Sequence, residues 1–262
     1  MGPSRALAVS FGEDDDGELY LVDHKGSLLR MTQMEPGLKV TSVGNSASSE
    51  PGLVAGSIAS AFLTGLPDVT EPLAFEDFPL PYSIGDVSVW VNGTQARLTA
   101  VTPDGKVDFQ VPYVLPDATA TVQVRAGYRT SNIFTVDVKA VLPGLLSVDG
   151  RRAMAVNELG ENARSAPRGT VVALFATGLG WPDNWPEYGY PGIDNPPATF
   201  TGTVAAMIGG KPAAVEFCSL TPGFAGLYTI IARIAPDASA GDGEVWIAVD
   251  GVKSPTLRFG VD

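Results

Sequence analysis

A single histidine and a single cysteine are all the imidazole and thiol chemistry that this 262-residue chain carries. One cysteine, Cys218, excludes an intramolecular disulfide, so the fold must rest on packed cores. In VEFCSL it reads as a small apolar residue of a buried strand. One histidine, His24, excludes a multi-histidine metal site, and its setting in VDHKG is that of a solvated turn. Basic residues are scarce: Lys and Arg total 17 against 29 Asp and Glu, a net charge of −12. Nucleic acid and anionic lipid are bound by releasing counterions onto Lys and Arg, so neither is an expected partner. No run approaches the roughly 18 apolar residues of a membrane span. MGPSRALAVSFGEDDD also lacks the charged, apolar and cleavage regions of a signal peptide. Helical periodicity is missing as well, and ELGENARSA can make one helical turn at most.

What is present is strand material. Apolar residues make up 45% of the chain and charged ones 18%, enough for packed cores and too apolar for general disorder. The 30 glycines and 21 prolines show no collagen period, which suits short strands joined by tight turns. In KVDFQVP, Val107, Phe109 and Val111 share one face while Asp108 and Gln110 share the other. ATVQVR and FTVDVK alternate in the same way, as half-buried strands with one side in a core and one in water.

The chain also repeats itself. GSIASAFLTGL, from Gly56 to Leu66, returns without a gap as GTVVALFATGL, from Gly169 to Leu179, an offset of 113 residues. The turns VNGTQA and IGGKPA fall at equivalent places, as do TPDG at Thr102 and TPGF at Thr221. Asn-Gly and Gly-Gly between apolar strands are hairpin signals. About seven short strands per hundred residues predict a β-sandwich of immunoglobulin type. The expected fold is therefore all-β: two tandem immunoglobulin-like β-sandwiches, residues 35–140 and 141–262, preceded by a short β-meander at 1–34. Gly65 and Gly178 are expected to end a core strand at a sharp turn, and Phe62 and Phe175 to anchor the two cores. MEPGLKVTSVGNSASSEPG reads as a linker into the first sandwich. The joint VKAVLPGLLS, with Pro143-Gly144 at its centre, should leave limited hinge freedom.

Two resemblances add to this reading. FGEDDDGELYLVDHKGSLLRM resembles the last blade of six-bladed propellers in the soluble glucose/sorbosone dehydrogenase family, over residues 5–31. That resemblance implies that a catalytic propeller precedes this stretch in a longer parent; the family's quinone-binding and catalytic residues belong to earlier blades. From 41 to 262, the series SASSEPGLVAGSIASAFLTGL, VWVNGTQARLTAVTPDGKVDFQVP, LPGLLS, APRGTVVALFATGLG and IGGKPAAVEFCSLTPGFAGLYTIIARIAP, ending in VDGVKSP, resembles the "Solibacter uncharacterized C-terminal domain" family. The modules are also similar to IPT/TIG immunoglobulin-like domains. The resemblance implies a place at the C-terminal end of an exported bacterial protein, extracellular, at the cell surface or in the periplasm, and carries no biochemical activity.

The residues themselves offer little for catalysis. G-x-S-x-G, H-E-x-x-H, paired C-x-x-C and the P-loop are absent, and no cofactor is expected. Four carboxylates stand in a row at Glu13 to Asp16, but the EF-hand spacing fails and neighbours in an extended segment point to opposite faces. A solvated turn explains them, and no metal is expected. Asn92-Gly93-Thr94 matches a glycosylation acceptor, yet the same dipeptide is accounted for as a hairpin turn.

The remaining candidate is GLGWPDNWPEYGYPGIDNPP, Gly178 to Pro197, with Trp181, Trp185, Tyr188 and Tyr190 close together. Aromatic faces beside carboxylates such as Asp183, Glu187 and Asp194 could stack on sugar rings and accept hydroxyl protons. The alternative is that these rings cover a sandwich end or clasp the neighbouring module. The expected function is a non-catalytic spacer, surface-presentation or adhesion unit, with polysaccharide or another surface protein as partner. The alternatives are the C-terminal part of a quinone-dependent sugar dehydrogenase, and a carbohydrate-binding accessory module using the aromatic loop.

Overall fold

The computed structural model describes residues 8–15, 17–31, 37–66, 69–74 and 77–262. None of them is helical: the protein is all-β, including the ELGENARSA stretch, which forms a turn and short bridges. Accordingly, among the described residues no helix is long and apolar enough to cross a membrane. Chain contacts divide it into two compact units, Met1–Gly37 and Leu38–Asp262.

The first unit is an antiparallel meander of β1 (Ala8–Glu13), β2 (Leu19–Asp23) and β3 (Leu28–Arg30). Phe11, Leu21 and Leu29 sit opposite one another across its three strands. His24 is exposed in the β2–β3 turn, where Asp23 Oδ1 accepts from the backbone N–H groups of Lys25 and Ser27 at 2.9 Å. In the acidic turn, Asp14 accepts from Glu18 N at 2.9 Å and from the Tyr20 hydroxyl at 3.1 Å, as a turn-forming carboxylate does. Asp16, one of the four carboxylates, lies outside the described residues.

The second unit holds both sandwiches. The first contains β4 (Lys39–Asn45), β5 (Ile58–Thr64), β6 (Leu73–Ala74), β7 (Val87–Val91) and β8 (Thr94–Gln95). It continues with β9 (Arg97–Val101), β10 (Lys106–Gln110), β11 (Thr119–Ala126), β12 (Arg129–Thr130) and β13 (Phe134–Asp137). Sheet β4-β5-β10-β9-β6 faces sheet β12-β11-β7-β8, with β13 also paired to β11. The alternation seen in KVDFQVP holds on its apolar side, since Val107, Phe109 and Val111 are fully buried in the first core.

The second sandwich contains β14 (Gly144–Leu145), β15 (Ala155–Asn157), β16 (Ser165–Ala166), β17 (Val171–Thr177) and β18 (Val204–Ile208). It closes with β19 (Lys211–Leu220), β20 (Tyr228–Arg233), β21 (Gly241–Val249), β22 (Val252–Lys253) and β23 (Leu257–Val261). Its two layers are joined by β19, which pairs with β18 at one end and β20 at the other. A bulge between Val215 and Phe217 lets the strand bend from one layer to the next. The second core is a separate cluster around Phe259, Leu174, Ile208, Ile230 and Ile247.

The duplication persists down to single hydroxyls. Ser131 accepts from Val124 N at 2.9 Å and donates to Asn132 O; Ser254 accepts from Ile247 N at 3.1 Å and donates to Pro255 O. Gly65 and Gly178 end β5 and β17 with φ of 76° and 83°, as expected for sharp turns.

Two expectations are corrected. Phe62 and Phe175 are only partly buried and belong to neither core. Successive strand residues face opposite ways, and Ala61, Leu63, Leu174 and Ala176 take the inward positions, leaving the phenylalanines on the outer faces. The stretch read as a linker contains β4, whose Val40 and Val43 are buried. A register shift between Val40 and Ser42 brings both inward and hides the alternation. Its serines form a tight turn instead, in which Asn45 Oδ1 accepts from Ala47 N at 2.8 Å and Ser48 N at 3.1 Å; residues 32–36 lie outside the described residues. The Pro143-Gly144 joint, expected to leave limited hinge freedom, is buried together with Leu142 and Leu145.

Candidate functional site

The candidate loop leaves β17 at Gly178 and returns at β18, and its path is pinned at several points. Leu142 N donates to Gly178 O at 2.8 Å. Asp183 and Thr199 pair twice, through Asp183 N to Thr199 O at 2.9 Å and Thr199 N to Asp183 Oδ1 at 2.7 Å. Asp183 is thus a loop brace, and Glu187 is exposed with its carbonyl accepting from Tyr190 N at 2.9 Å. Bridges between Asp194 and Pro197 and between Gly192 and Pro222 hold the far end.

The four rings divide into two pairs. Trp185 and Tyr188 are partly buried against the first sandwich, whereas Trp181 and Tyr190 are 51% and 36% exposed. Trp185 lies 4.3 Å from the Tyr113 ring and 4.6 Å from Trp181 in an edge contact. Its indole sits on Gly56, where an added Cβ would be 2.3 Å from Cη2, so only glycine leaves room for the ring. The indole Nε1 is buried and has no hydrogen-bond partner, a cost accepted for that packing. Tyr188 enters the first sandwich's hydrogen-bond ladder. Its hydroxyl accepts from Arg97 N at 3.1 Å and donates to Gln110 O at 2.8 Å, two groups that face each other across β9 and β10. Arg97 in turn donates from its guanidinium to Leu80 O at 2.6 Å and stacks 3.9 Å above the Tyr82 ring.

The loop backbone follows. Gly189 N donates to Gln110 Oε1 at 3.0 Å, Leu80 N donates to Gly189 O at 2.8 Å, and the Tyr113 hydroxyl donates to Pro186 O at 3.2 Å. Gln110, expected to face water, is therefore 1% exposed. The outer face of β10 alternates like a solvated face, but at Gln110 the second sandwich covers it.

A second contact lies at the strand ends. Asn45, 3% exposed, donates from Nδ2 to Leu142 O at 2.8 Å and to Thr177 O at 3.2 Å. Thr177 Oγ1 accepts from Ile58 N at 3.0 Å and donates to Gly226 O at 2.8 Å. The side chains of Asn45 and Thr177 are thus partnered by the other sandwich or by their own turn, as burial requires.

The local environment is one of low polarity. Burial pushes the Tyr113 phenol up to about 12, with its hydrogen bond to Gln110 acting the other way. Tyr188 is raised further by burial, against the Arg97 N–H that favours its ionised form. Cys218, in the second core, is pushed up to about 12 by burial and behaves as the small apolar residue expected. Among the described residues no group of three or more His, Cys, Asp or Glu is arranged to hold a metal ion.

Beside the clasp runs a cleft of about 630 Å³, lined from both sandwiches. Asn45, Arg97, Gln110 and Tyr113, which build the junction, were not singled out by sequence. Nothing in VGNSAS or DFQVPY distinguishes a residue that meets a second domain from one that meets water.

No protein-family model matches the chain, and no curated protein matches its sequence. Among solved structures the chain is similar to SGBP-B of the Bacteroides ovatus mixed-linkage glucan utilization locus, in complex with a mixed-linkage heptasaccharide. The identity is 11%, over 94% of this chain and 52% of that one, with a TM-score of 0.35. It is also similar to SGBP-B from a complex xyloglucan utilization locus in Bacteroides uniformis, at 12% identity over 86% and 49% of the two chains, with a TM-score of 0.26. A third likeness is to the I9–I11 tandem from titin, at 11% identity over 94% and 73%, with a TM-score of 0.24. The chain spans about half the length of the two SGBP-B proteins. Nothing about ligands passes to it from these likenesses.

Proposed function

We propose that residues 38–262 are a non-catalytic pair of immunoglobulin-like sandwiches acting as a rigid spacer or presentation unit of an exported bacterial protein. The observation that carries this reading is the second sandwich's loop hydrogen-bonded into the first sandwich's β9–β10 ladder through Tyr188 and Gly189. Flexible tandem modules meet through short polar linkers, and a joint that buries aromatic rings and backbone ladder groups resists bending. The motif resemblance to the Solibacter C-terminal family supports the exported setting.

Backbone ¹⁵N relaxation on the full chain tests the proposal. The two sandwiches should share one rotational diffusion tensor; separate correlation times for residues 38–140 and 141–262 would overturn it.

A second reading is favoured by Trp181 and Tyr190, which stay exposed beside Glu187. These could form a shallow polysaccharide contact at the loop's outer side. Affinity electrophoresis in soluble polysaccharide gels tests it, with retardation lost in Trp181→Ala as the supporting result. The third reading, the tail of a quinone-dependent sugar dehydrogenase, rests on the propeller-blade resemblance of the meander. Coding sequence for further blades upstream of Met1 would support it.

A further inference from the structure

The cleft between the sandwiches presents two kinds of surface at once. Ile58, Leu80 and Leu227 make it apolar, and Phe224 from the 221–227 turn stands over it 58% exposed. The turn fixes the backbone that carries the ring: Phe224 N donates to Thr221 O, and Phe224 O accepts from Gly192 N, both at 3.2 Å. Opposite chemistry comes from β10, where Lys106 Nζ and Asp108 Oδ2 are 3.0 Å apart with side chains only 26% and 17% exposed. Asp108 is further fixed by the Ser60 hydroxyl, which donates to its other oxygen.

This pair is neutral as a whole but unsaturated. The ammonium has three donor hydrogens, and a carboxylate has about four acceptor sites, so both retain capacity after pairing with each other. A donor and an acceptor one hydrogen-bond length apart match adjacent hydroxyls on a ring, one accepting from Lys106 and the next donating to Asp108. The apolar walls and the Phe224 face match the C–H faces of the same ring. The cleft's volume of about 630 Å³ is in the range of small-molecule sites.

We infer that this cleft binds a terminal pyranose of an uncharged saccharide, held between Phe224 and the Lys106–Asp108 pair. The inference is independent of the spacer reading and uses none of the rings of the 181–190 loop. A hydroxyl-free ligand of equal size is rejected, because it would cover the ion pair without replacing the water that solvates it. An anionic ligand meets a chain of net charge −12 and an ammonium already paired.

Saturation-transfer-difference NMR on the full chain tests this with methyl β-glucopyranoside, methyl β-galactopyranoside and methyl α-mannopyranoside, and with toluene as the hydroxyl-free ring. At least one glycoside should receive saturation, strongest at its ring C–H protons, while toluene should not. The transfer should weaken about fivefold or more in Phe224→Ala and in Lys106→Met, and persist in Trp181→Ala. Circular-dichroism melting of each variant identifies any that misfolds, and the solvent-facing Phe224→Ala change serves as the decisive variant. No transfer to any glycoside, transfer undiminished in Phe224→Ala, transfer lost only in Trp181→Ala, or binding of toluene alone would each overturn the inference.

Discussion

Replacing Trp185 with alanine should lower the melting temperature of the chain more than replacing Trp181 does. A fully buried large aromatic costs about 3–5 kcal/mol when truncated to alanine. Trp185 is only partly buried, which trims that figure, but it also loses two ring contacts, to Tyr113 at 4.3 Å and Trp181 at 4.6 Å, together worth about 1–3 kcal/mol. Working the other way, truncation removes an indole N–H that is buried without a partner, relieving about 1–3 kcal/mol. The net loss is about 2 kcal/mol, or about 4–8 °C for a unit of this size. Trp181, 51% exposed, forfeits one edge contact, about 0.5–1 kcal/mol and about 1–4 °C. Trp185→Phe keeps an aromatic face without the orphan N–H, so it should fall well short of the alanine loss. Differential scanning calorimetry on the three variants measures the series. If Trp185→Ala melts within about 1 °C of the parent, or Trp181→Ala falls as far, the ring does not hold the sandwiches together and the packing argument fails.

Gly178→Ala and Gly169→Ala compare residues of similar φ, 83° and 78°, in different surroundings. An added Cβ has nothing within 4 Å at Gly169, so the cost there is the left-handed backbone alone, about 1–2 kcal/mol. At Gly178 it would stand 2.1 Å from Leu142 O and 2.6 Å from Asn45 Nδ2, so urea unfolding should show a clearly larger loss. Alkaline pH should destabilise the junction. Tyr113 ionises near 10.0 when unfolded and only near about 12 when folded, so in that window the unfolded chain binds fewer protons and stability falls as pH rises. Its contribution is fully present below pH 10, and Tyr113→Phe should flatten the decline in urea midpoints measured across that window. Cys218, buried and with its thiol pushed up to about 12, should resist maleimide in the native protein and react fully in denaturant; rapid native labelling would place it outside the core.

Much of the architecture was readable because strands write their burial at a period of two. Val107, Phe109 and Val111 announced their strand, and Gly56 to Leu66 against Gly169 to Leu179 announced the duplication. Where that reading went astray, backbone irregularity or a second layer was responsible. A bulge concealed β4 by putting Val40 and Val43 on the same side, so a structured strand resembled a Ser-rich linker. Phe62 and Phe175 were expected to anchor the cores, although their neighbours' alternation places them outward. The aromatic loop was legible as a concentration of rings, and clasping a neighbour was one of its two readings. Which rings would clasp could not be read, since Trp181 and Trp185 look alike in sequence and differ only in whether Gly56 and Tyr113 stand beside them.

Local pattern alone was enough for the all-β class, the tight turns and the inert surroundings of Cys218, because each depends on residues within a few positions of one another; the duplicated unit needed only the comparison of two stretches 113 residues apart. The junction was decided by folding. Asn45 meets Leu142 and Thr177, and Tyr188 meets Arg97 and Gln110, across separations of some 80 to 130 residues. A polar residue on the outer face of a strand is equally satisfied by water or by another domain, and only the packed chain shows which of the two it received.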